Sequence, residues 1–288
     1  MDKKTDIQRL LRQAKDDGWL LFLAQIIFLL FLVFGFRSLV FQPFTIPSGS
    51  MVPTLLVGDY ISVTKYDYGY SRYSFPFPVP FLKGRIFESE PKRGDVIVFR
   101  FTQDSSIDYI KRVVGVAGDR LQLKHGVVYL NDKPLQRVSQ GEHQYLNREG
   151  RSWSGEEFIE ENHVGEKDSE EIRRYHILQE TEEGAANNTE VYTVPSGCLF
   201  VMGDNRDDSA DSRFQGGREV GSCSTPLGSN YLVGSGRDLG FVPLENVEGK
   251  ARRVLLSFDF SHSKWAFWYW PSEIRLNRFF HPIQQRGV

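Results

Sequence analysis

Residues 93–132 read RGDVIVFRFTQDSSIDYIKRVVGVAGDRLQLKHGVVYLND. Within them the short runs Asp95–Phe101, Tyr109–Val116 and Gly126–Leu130 are dense in Val, Ile, Phe and Tyr. Each is bounded by turn-forming residues: Arg93-Gly94-Asp95, Gly118-Asp119 and Asn131-Asp132. β-branched and aromatic residues between such punctuation specify strands, not helices. Working outward, the same rhythm returns at Asp59–Thr64, Glu190–Val194 and Cys198–Met202. The predicted fold is mainly β, an antiparallel β-sheet core of sandwich or barrel-like form. No internal repeat is evident.

Two stretches depart from that rhythm. Residues 141–190 hold fourteen Asp or Glu against five Lys or Arg, with few aliphatic residues. Such acidity predicts a solvated insertion or peripheral subdomain on the β core. Residues 214–240 are rich in Gly and Ser and read as an extended surface loop. Near the end, Trp265-Ala266-Phe267-Trp268-Tyr269-Trp270 precedes Arg275, Arg278, Phe279 and Phe280. Two readings stand: a terminal piece packed into the core, or an interfacial belt with rings at headgroup level and Arg facing phosphate.

Before the β region, Trp19–Phe36 (WLLFLAQIIFLLFLVFGF) carries no charge and one amide, Gln25. As a helix it spans about 27 Å, the thickness of a bilayer's hydrocarbon. A core helix would show a polar face, and this run has none. A cleavable leader would be shorter and followed by small residues; here Arg37, Ser38, Leu39, Val40 and Phe41 follow. The run predicts one retained transmembrane helix. Lys3, Lys4, Arg9, Arg12 and Lys15 precede it and only Arg37 lies close behind. The N-terminus is therefore expected in the cytoplasm and the rest on the opposite side. The division expected is a basic cytoplasmic segment (1–18), an anchor (19–40), the first part of the β core (41–131), an acidic inserted subdomain (132–190), and the second part of the core with its aromatic terminal segment (191–288).

The formal net charge of −2 gives no electrostatic case for nucleic acid as a partner. Cys198 and Cys223 match no zinc or redox spacing. In an exported domain one disulfide or two free thiols are both compatible with two cysteines. No metal-ligand cluster stands out, and no metal or organic cofactor is expected. The sequence sets no oligomeric state.

Three segments stand out: QPFTIPSGSMVPTLLVGD (42–59), DYIKRVVGVAGD (108–119) and GDNRDDSADSR (203–213). Separately each has an ordinary explanation, as a turn, a strand and a polar loop. The third is not a calcium loop, because no Gly or closing Glu follows Asp207, Ser209 and Asp211 at the needed positions. Together they suit nucleophilic chemistry. A Ser on a turn flanked by Pro47 and Pro53 is held rigidly. None of the six His is placed to be its base, and a Lys can serve instead.

The three segments resemble the boxes of the bacterial type I signal peptidases: PSGSMxPTL, YIKRVVGxxGD and GDNRDNSxDSR. The resemblance covers residues 42–64, 92–131 and 195–213, with a weaker echo at Gly240–Ala251. It implies a membrane-bound serine endopeptidase that removes N-terminal signal peptides from exported preproteins after small-x-small (Ala-x-Ala) sites. It implies Ser50 as nucleophile and Lys111 as general base. A lysine at its ordinary pKa of about 10.4 would be charged; lowering it by roughly three units costs about 4 kcal/mol, which burial can supply. Strand alternation puts Tyr109 and Val113 on the face of Lys111 and Arg112 on the other. Ser209 resembles the hydroxyl that hydrogen-bonds the lysine amine. Ser48 resembles the residue that stabilises the oxyanion with the Ser50 amide. Arg112 with Asp204, and Asp211 with Arg213, resemble structural pairs. Phe44, Ile46, Pro47, Met51, Leu55, Tyr109 and Ile110 match the apolar cleft, where an extended substrate adds as a strand. The implied setting is the bacterial cytoplasmic membrane, with lipid and preproteins as partners. One position departs: Asp208 stands where the family commonly has Asn, and it is expected to point into solvent, since a charge near Lys111 would raise its pKa. Other readings are a different Ser–Lys protease on the same core, or an anchored binding domain without activity.

Overall fold

The structure is a computed structural model that describes residues 3–75, 84–146, 152–165, 171–215, 223–224, 231–232, 238–259 and 270–286. A helix runs over Lys3–Leu39, so the basic segment continues the apolar one without a break. Its stretch Gly18–Gly35 is long and apolar enough to cross a membrane, and none of it is buried against the protein.

Seven strands form the main sheet, in the order Phe41–Thr45, Asp59–Thr64, Val247–Ser257, Val96–Arg100, Asp108–Gly115, Cys198–Met202, Val242–Pro243. Every neighbouring pair is antiparallel. Strand Val96–Arg100 shows why its sequence is apolar without alternation. Val96 and Val98 enter one core with Met51, Leu55 and Ile61, whereas Ile97 and Phe99 enter another with Val113, Leu199 and Val201. Successive side chains point to opposite faces, and both faces are covered. A third core lies under a smaller sheet, Tyr192–Thr193, Arg120–Lys124, Val127–Leu130 and Lys133–Pro134. Asn131 and Asp132 both have positive φ, 50° and 66°, the backbone that a two-residue hairpin turn of this twist requires.

The acidic stretch forms its own antiparallel sheet, Gln136–Leu146, Ser152–His163 and Ile172–Gln179, joined at the far edge by Gln285–Arg286. Its outer strand Gln136–Leu146 is solvated, as acidity predicts. The inner two are not: Glu157, Glu160 and Arg173 are buried. The reason is pairing, because Arg206 holds Glu160 (2.5 Å) and Arg173 reaches Asp95 of the main core (2.5 Å). A buried charge is tolerated where an opposite charge and hydrogen bonds meet it.

Several expectations need adjusting. Of Glu190–Val194 only Tyr192–Thr193 is strand. Residues 265–269 lie outside the described residues. Arg275 and Arg278 do not face outward. Arg275 donates to the Val57 carbonyl (3.0 Å), and Arg278 donates to the Thr54 carbonyl (3.0 Å) and pairs with Asp59 (2.5 Å). The unpaired carbonyls and the buried carboxylate of the loop before Asp59 attract them inward. Of the extended loop 214–240, the described part includes Cys223, which is disulfide-bonded to Cys198 with Cα atoms 5.7 Å apart.

Candidate active site

Strand Phe41–Thr45 pairs with Asp59–Thr64, so residues 46–58 must leave and return at one sheet edge. Ile46 N–H to Asp59 O (2.9 Å) and Gly58 N–H to Ile46 O (3.0 Å) close that excursion. Inside it, Val52 N–H donates to Gly49 O (3.0 Å) and Leu55 N–H to Met51 O (2.8 Å). Met51 and Leu55 are fully buried in the core. The turn is thus nailed from below, and Ser50 is left part-buried at its tip.

Lys111 stands in Asp108–Gly115, flanked by Val96–Arg100 and Cys198–Met202. Its side chain is buried and its Nζ donates to Ser50 Oγ at 2.7 Å. The Tyr109 ring lies 5.7 Å from the amine. Burial lowers Lys111 from its ordinary 10.5 to about 8, against the opposing pull of the Asp211, Asp204 and Asp208 charges. The carboxylates do not win because the two with the strongest pull, Asp211 and Asp204, are already engaged by arginines. Asp204 takes a bidentate pair from Arg112 (2.7 and 2.6 Å). Asp211 is held by Arg213 (2.8 Å) and by the Gly203 amide (3.1 Å), and its carboxyl stays below the usual range, since Arg213 and these bonds outweigh desolvation.

The loop that follows Met202 grips the serine turn. Asn205 N–H donates to Ser50 O (3.1 Å) and Asn205 Nδ2 to Gly49 O (3.2 Å). From behind, the inserted sheet supports the loop: Leu178 N–H donates to Asp204 O and Arg206 N–H to Leu178 O, both at 2.9 Å. The Arg112 guanidinium stacks 4.1 Å over the Tyr175 ring of that sheet.

The structure therefore brings Ser50, Lys111, Ser48 and the Arg112–Asp204 and Asp211–Arg213 pairs together. Ser48 Oγ lies 3.5 Å from Ser50 Oγ. Of the apolar set, Phe44 and Ile110 are part-buried beside the core that contains Ile46, Met51 and Leu55; Tyr109 is part-buried and stacks on Phe101. Met51 and Leu55 present no surface, and Pro47 is exposed. Two expectations are corrected. Ser209 Oγ is buried and makes no hydrogen bond, to the amine or otherwise, because Lys111 Nζ is directed at Ser50 and Ser209 packs into the space left by Gly203. Asp208 does not point into solvent: it accepts a 2.5 Å hydrogen bond from Trp153 Nε1. Sequence reading missed Trp153 because a single indole in an acidic stretch carries no motif. Asn205 sat within a quoted box without a role.

An amine of pKa near 8 in contact with a part-buried serine hydroxyl is the geometry that general-base activation requires, and such a pair on an antiparallel core defines a hydrolase-like site. A family model described as "Signal peptidase, peptidase S26" matches residues 19–256. Signal peptidase I of Rickettsia canadensis (strain McKiel) is 36% identical over 263 residues, 86% of this chain and 87% of its own. That of Rickettsia typhi (strain ATCC VR-144 / Wilmington) is 37% identical over 236 residues, 81% of this chain and 79% of its own. A solved signal peptidase I from Enterococcus faecalis V583 aligns at 23% identity with a TM-score of 0.27, covering 56% of this chain and 97% of that one. The protein is a hydrolase. More particularly, it belongs to the signal peptidase family, peptidase S26.

Proposed function

We propose that this chain is a membrane-anchored signal peptidase that cuts exported preproteins after Ala-x-Ala-type sites, with Ser50 as nucleophile and Lys111 as general base. The observation that carries the reading is the 2.7 Å contact between an amine whose pKa burial lowers to about 8 and the Ser50 hydroxyl. The uncharged amine takes the hydroxyl proton as Oγ bonds to the scissile carbonyl carbon. The resulting ammonium returns that proton to the leaving amine, and a water repeats the cycle on the acyl-enzyme. Ser48 Oγ and the Ser50 amide stabilise the oxyanion; one such donor is worth a factor of about 100 to 1,000. Arg112 with Asp204, and Asp211 with Arg213, occupy the carboxylates that would otherwise hold Lys111 charged. The substrate lies extended beside Phe41–Thr45, the outermost strand of the main sheet, with Phe44, Ile46, Pro47, Tyr109 and Ile110 around its small side chains and Met51 and Leu55 behind them. The apolar helix crosses the bacterial cytoplasmic membrane with its N-terminus inside, which delivers the catalytic core to the outer face beside the emerging substrate and the lipid surface.

Purified protein in detergent, incubated with a preprotein bearing an Ala-x-Ala site, is expected to release the mature chain. Ser50→Ala and Lys111→Ala are expected to abolish release while remaining folded. Near-normal cleavage by Lys111→Ala would remove the lysine from its role, and no cleavage by any form, wild type included, would point to a binding domain.

A further inference from the structure

Trp153 lies in Ser152–His163, an inner strand of the acidic inserted sheet, more than a hundred residues downstream of Ser50 in sequence. In space its ring touches the turn that carries Ser50. A Cβ placed on Gly49 would fall 2.2 Å from Trp153 Cζ2 and 2.3 Å from Cε2. No real side chain fits there, so the benzo edge of the indole occupies the place where residue 49 would otherwise have a side chain. The indole is held at both ends. Its apolar edge packs with Val52 and Leu178, and its Nε1–H donates to Asp208 Oδ2 at 2.5 Å. Asp208 is tied back in turn, its N–H donating to Asn205 Oδ1 (3.3 Å), and Asn205 donates to the carbonyls of Gly49 and Ser50. A closed circuit results: Trp153, Asp208, Asn205, then the two peptide units on either side of the Ser50 Cα.

We infer that Trp153, oriented by Asp208, is a positioning residue of the reaction: it presses on Gly49 and fixes the Ser50 hydroxyl in line with the Lys111 amine. This rests on the proposed Ser50–Lys111 chemistry and gives the inserted sheet a part in it. The turn has Ser48 and Pro47 exposed on one side. The three heavy atoms nearest to that side of Gly49 all belong to the indole, so its removal gives the Gly49 peptide room to shift toward the inserted sheet. A displacement of an ångström at a nucleophile costs up to about a hundredfold in rate. Asp208 serves because a carboxylate makes a stronger bond to an indole N–H than a neutral acceptor does. That bond offsets the disadvantage of one more negative charge near Lys111.

The test is a double-substitution cycle on the detergent-solubilised full chain, read by preprotein cleavage and by thermal unfolding. Trp153→Phe keeps a ring in the core but withdraws the benzo edge from Gly49 and the N–H from Asp208. It is expected to lower kcat about tenfold with KM within about twofold. Gly49→Ala alone is expected to lose about a hundredfold in kcat. Gly49→Ala combined with Trp153→Phe is expected to regain at least tenfold over Gly49→Ala, since the methyl then has room. Trp153→Leu is a second background should the Phe ring still block the methyl. Strictly additive losses, or a Trp153→Phe enzyme with wild-type kcat and only a lower unfolding temperature, would overturn the proposal. Recovery of unfolding temperature without recovery of kcat in the double variant would also overturn it, leaving a merely structural contact. Should wild type cleave while Ser50→Ala cleaves equally well, the chemistry itself has failed, and the clamp falls with it; a Ser50-dependent wild type with additive losses fails the clamp alone.

Discussion

At the scale of the residue, Lys111 is where chemistry and stability pull apart. Its folded pKa of about 8 lies below the ordinary 10.5, because burial disfavours the ammonium more than Asp211, Asp204 and Asp208 favour it. On the general-base role proposed for Lys111 the active form is the neutral amine, so kcat/KM should rise with pH and reach half its plateau near pH 8, two and a half units earlier than for an exposed lysine. For stability the sign is opposite to that of a salt-bridged lysine. Between pH 8 and 10.5 the unfolded chain binds more protons than the folded one, so stability from this group increases with pH across that window. At pH 7 the folded enzyme still carries the cost of a buried ammonium, on the order of 3 kcal/mol. Lys111→Met should therefore be inactive yet 1 to 3 kcal/mol or so more stable at pH 7, with the gain vanishing above pH 10.5. Urea unfolding of the two proteins at pH 7 and pH 10.5 checks both parts, and a variant less stable at pH 7 would refute them. The nearness of Ser50 and Lys111 was legible in the sequence only through the resemblance of whole segments. Alternation along a strand says which face a side chain takes, not what waits opposite. The direction of Asp208 was misread for that reason: its partner, Trp153, lies 55 positions away in a segment without a motif.

At the scale of the element, strands with at least one fully buried face were the most legible. Asp59–Thr64 and Cys198–Met202 have the bounds that turn residues predict. The acidic insertion was legible only in its outer strand. Composition reports net charge, but burial depends on whether each carboxylate meets a cation, and Arg206, the partner of Glu160, lies 46 residues away. The disulfide was undecided for a similar reason, since spacing does not say whether two thiols meet. It closes 25 residues onto Cys198, the first residue of the strand that leads to Gly203 and the loop gripping Ser50. Cross-links over such a span contribute about 2 to 4 kcal/mol, mainly by restricting the unfolded chain. Cys223→Ser, or wild type in reductant, should lose stability of that order in urea unfolding while keeping kcat within about threefold, because no bond of the Ser50–Lys111 contact passes through the bridge. A large fall in kcat with little loss of stability would instead mean that the bridge sets the geometry of the gripping loop.

At the scale of the whole molecule, one buried carboxylate joins parts that the sequence keeps far apart. Asp95 Oδ2 accepts from Tyr68 Oη (2.6 Å) and from the Lys92 amide (3.1 Å). Its Oδ1 accepts from Lys250 Nζ (2.7 Å), Arg173 (2.5 Å) and Gln284 Nε2 (3.0 Å). Those side chains come from the segment after Asp59–Thr64, the strand Val247–Ser257, the inserted sheet and the terminal segment. The sequence marked Asp95 only as part of an Arg-Gly-Asp turn, since separations of 78, 155 and 189 residues leave no local pattern. Desolvation pushes the Asp95 carboxyl up, but Lys250, Tyr68 and Arg173 together pull it further down, and the net shift is below the ordinary 3.8. A carboxylate with a lowered folded pKa contributes stability that is complete above its unfolded value and lost as pH falls through the folded one. Asp95→Asn keeps the size and one acceptor, yet leaves Lys250 without the Asp95 charge and Arg173 paired with half-exposed Glu171 (3.1 Å) in place of a buried carboxylate. Removing one partner of a buried ionic cluster costs about 3 to 5 kcal/mol. The variant should therefore be less stable by that order at pH 7, and its stability should fall less steeply than that of wild type between pH 5 and pH 2. Because Arg173 carries the inserted sheet, partial proteolysis should release residues of that sheet first, before the main core is cut. Equal acid sensitivity in the two proteins would show that Lys250 and Arg173 find other counter-charges, and that the parts of the molecule are held together without Asp95.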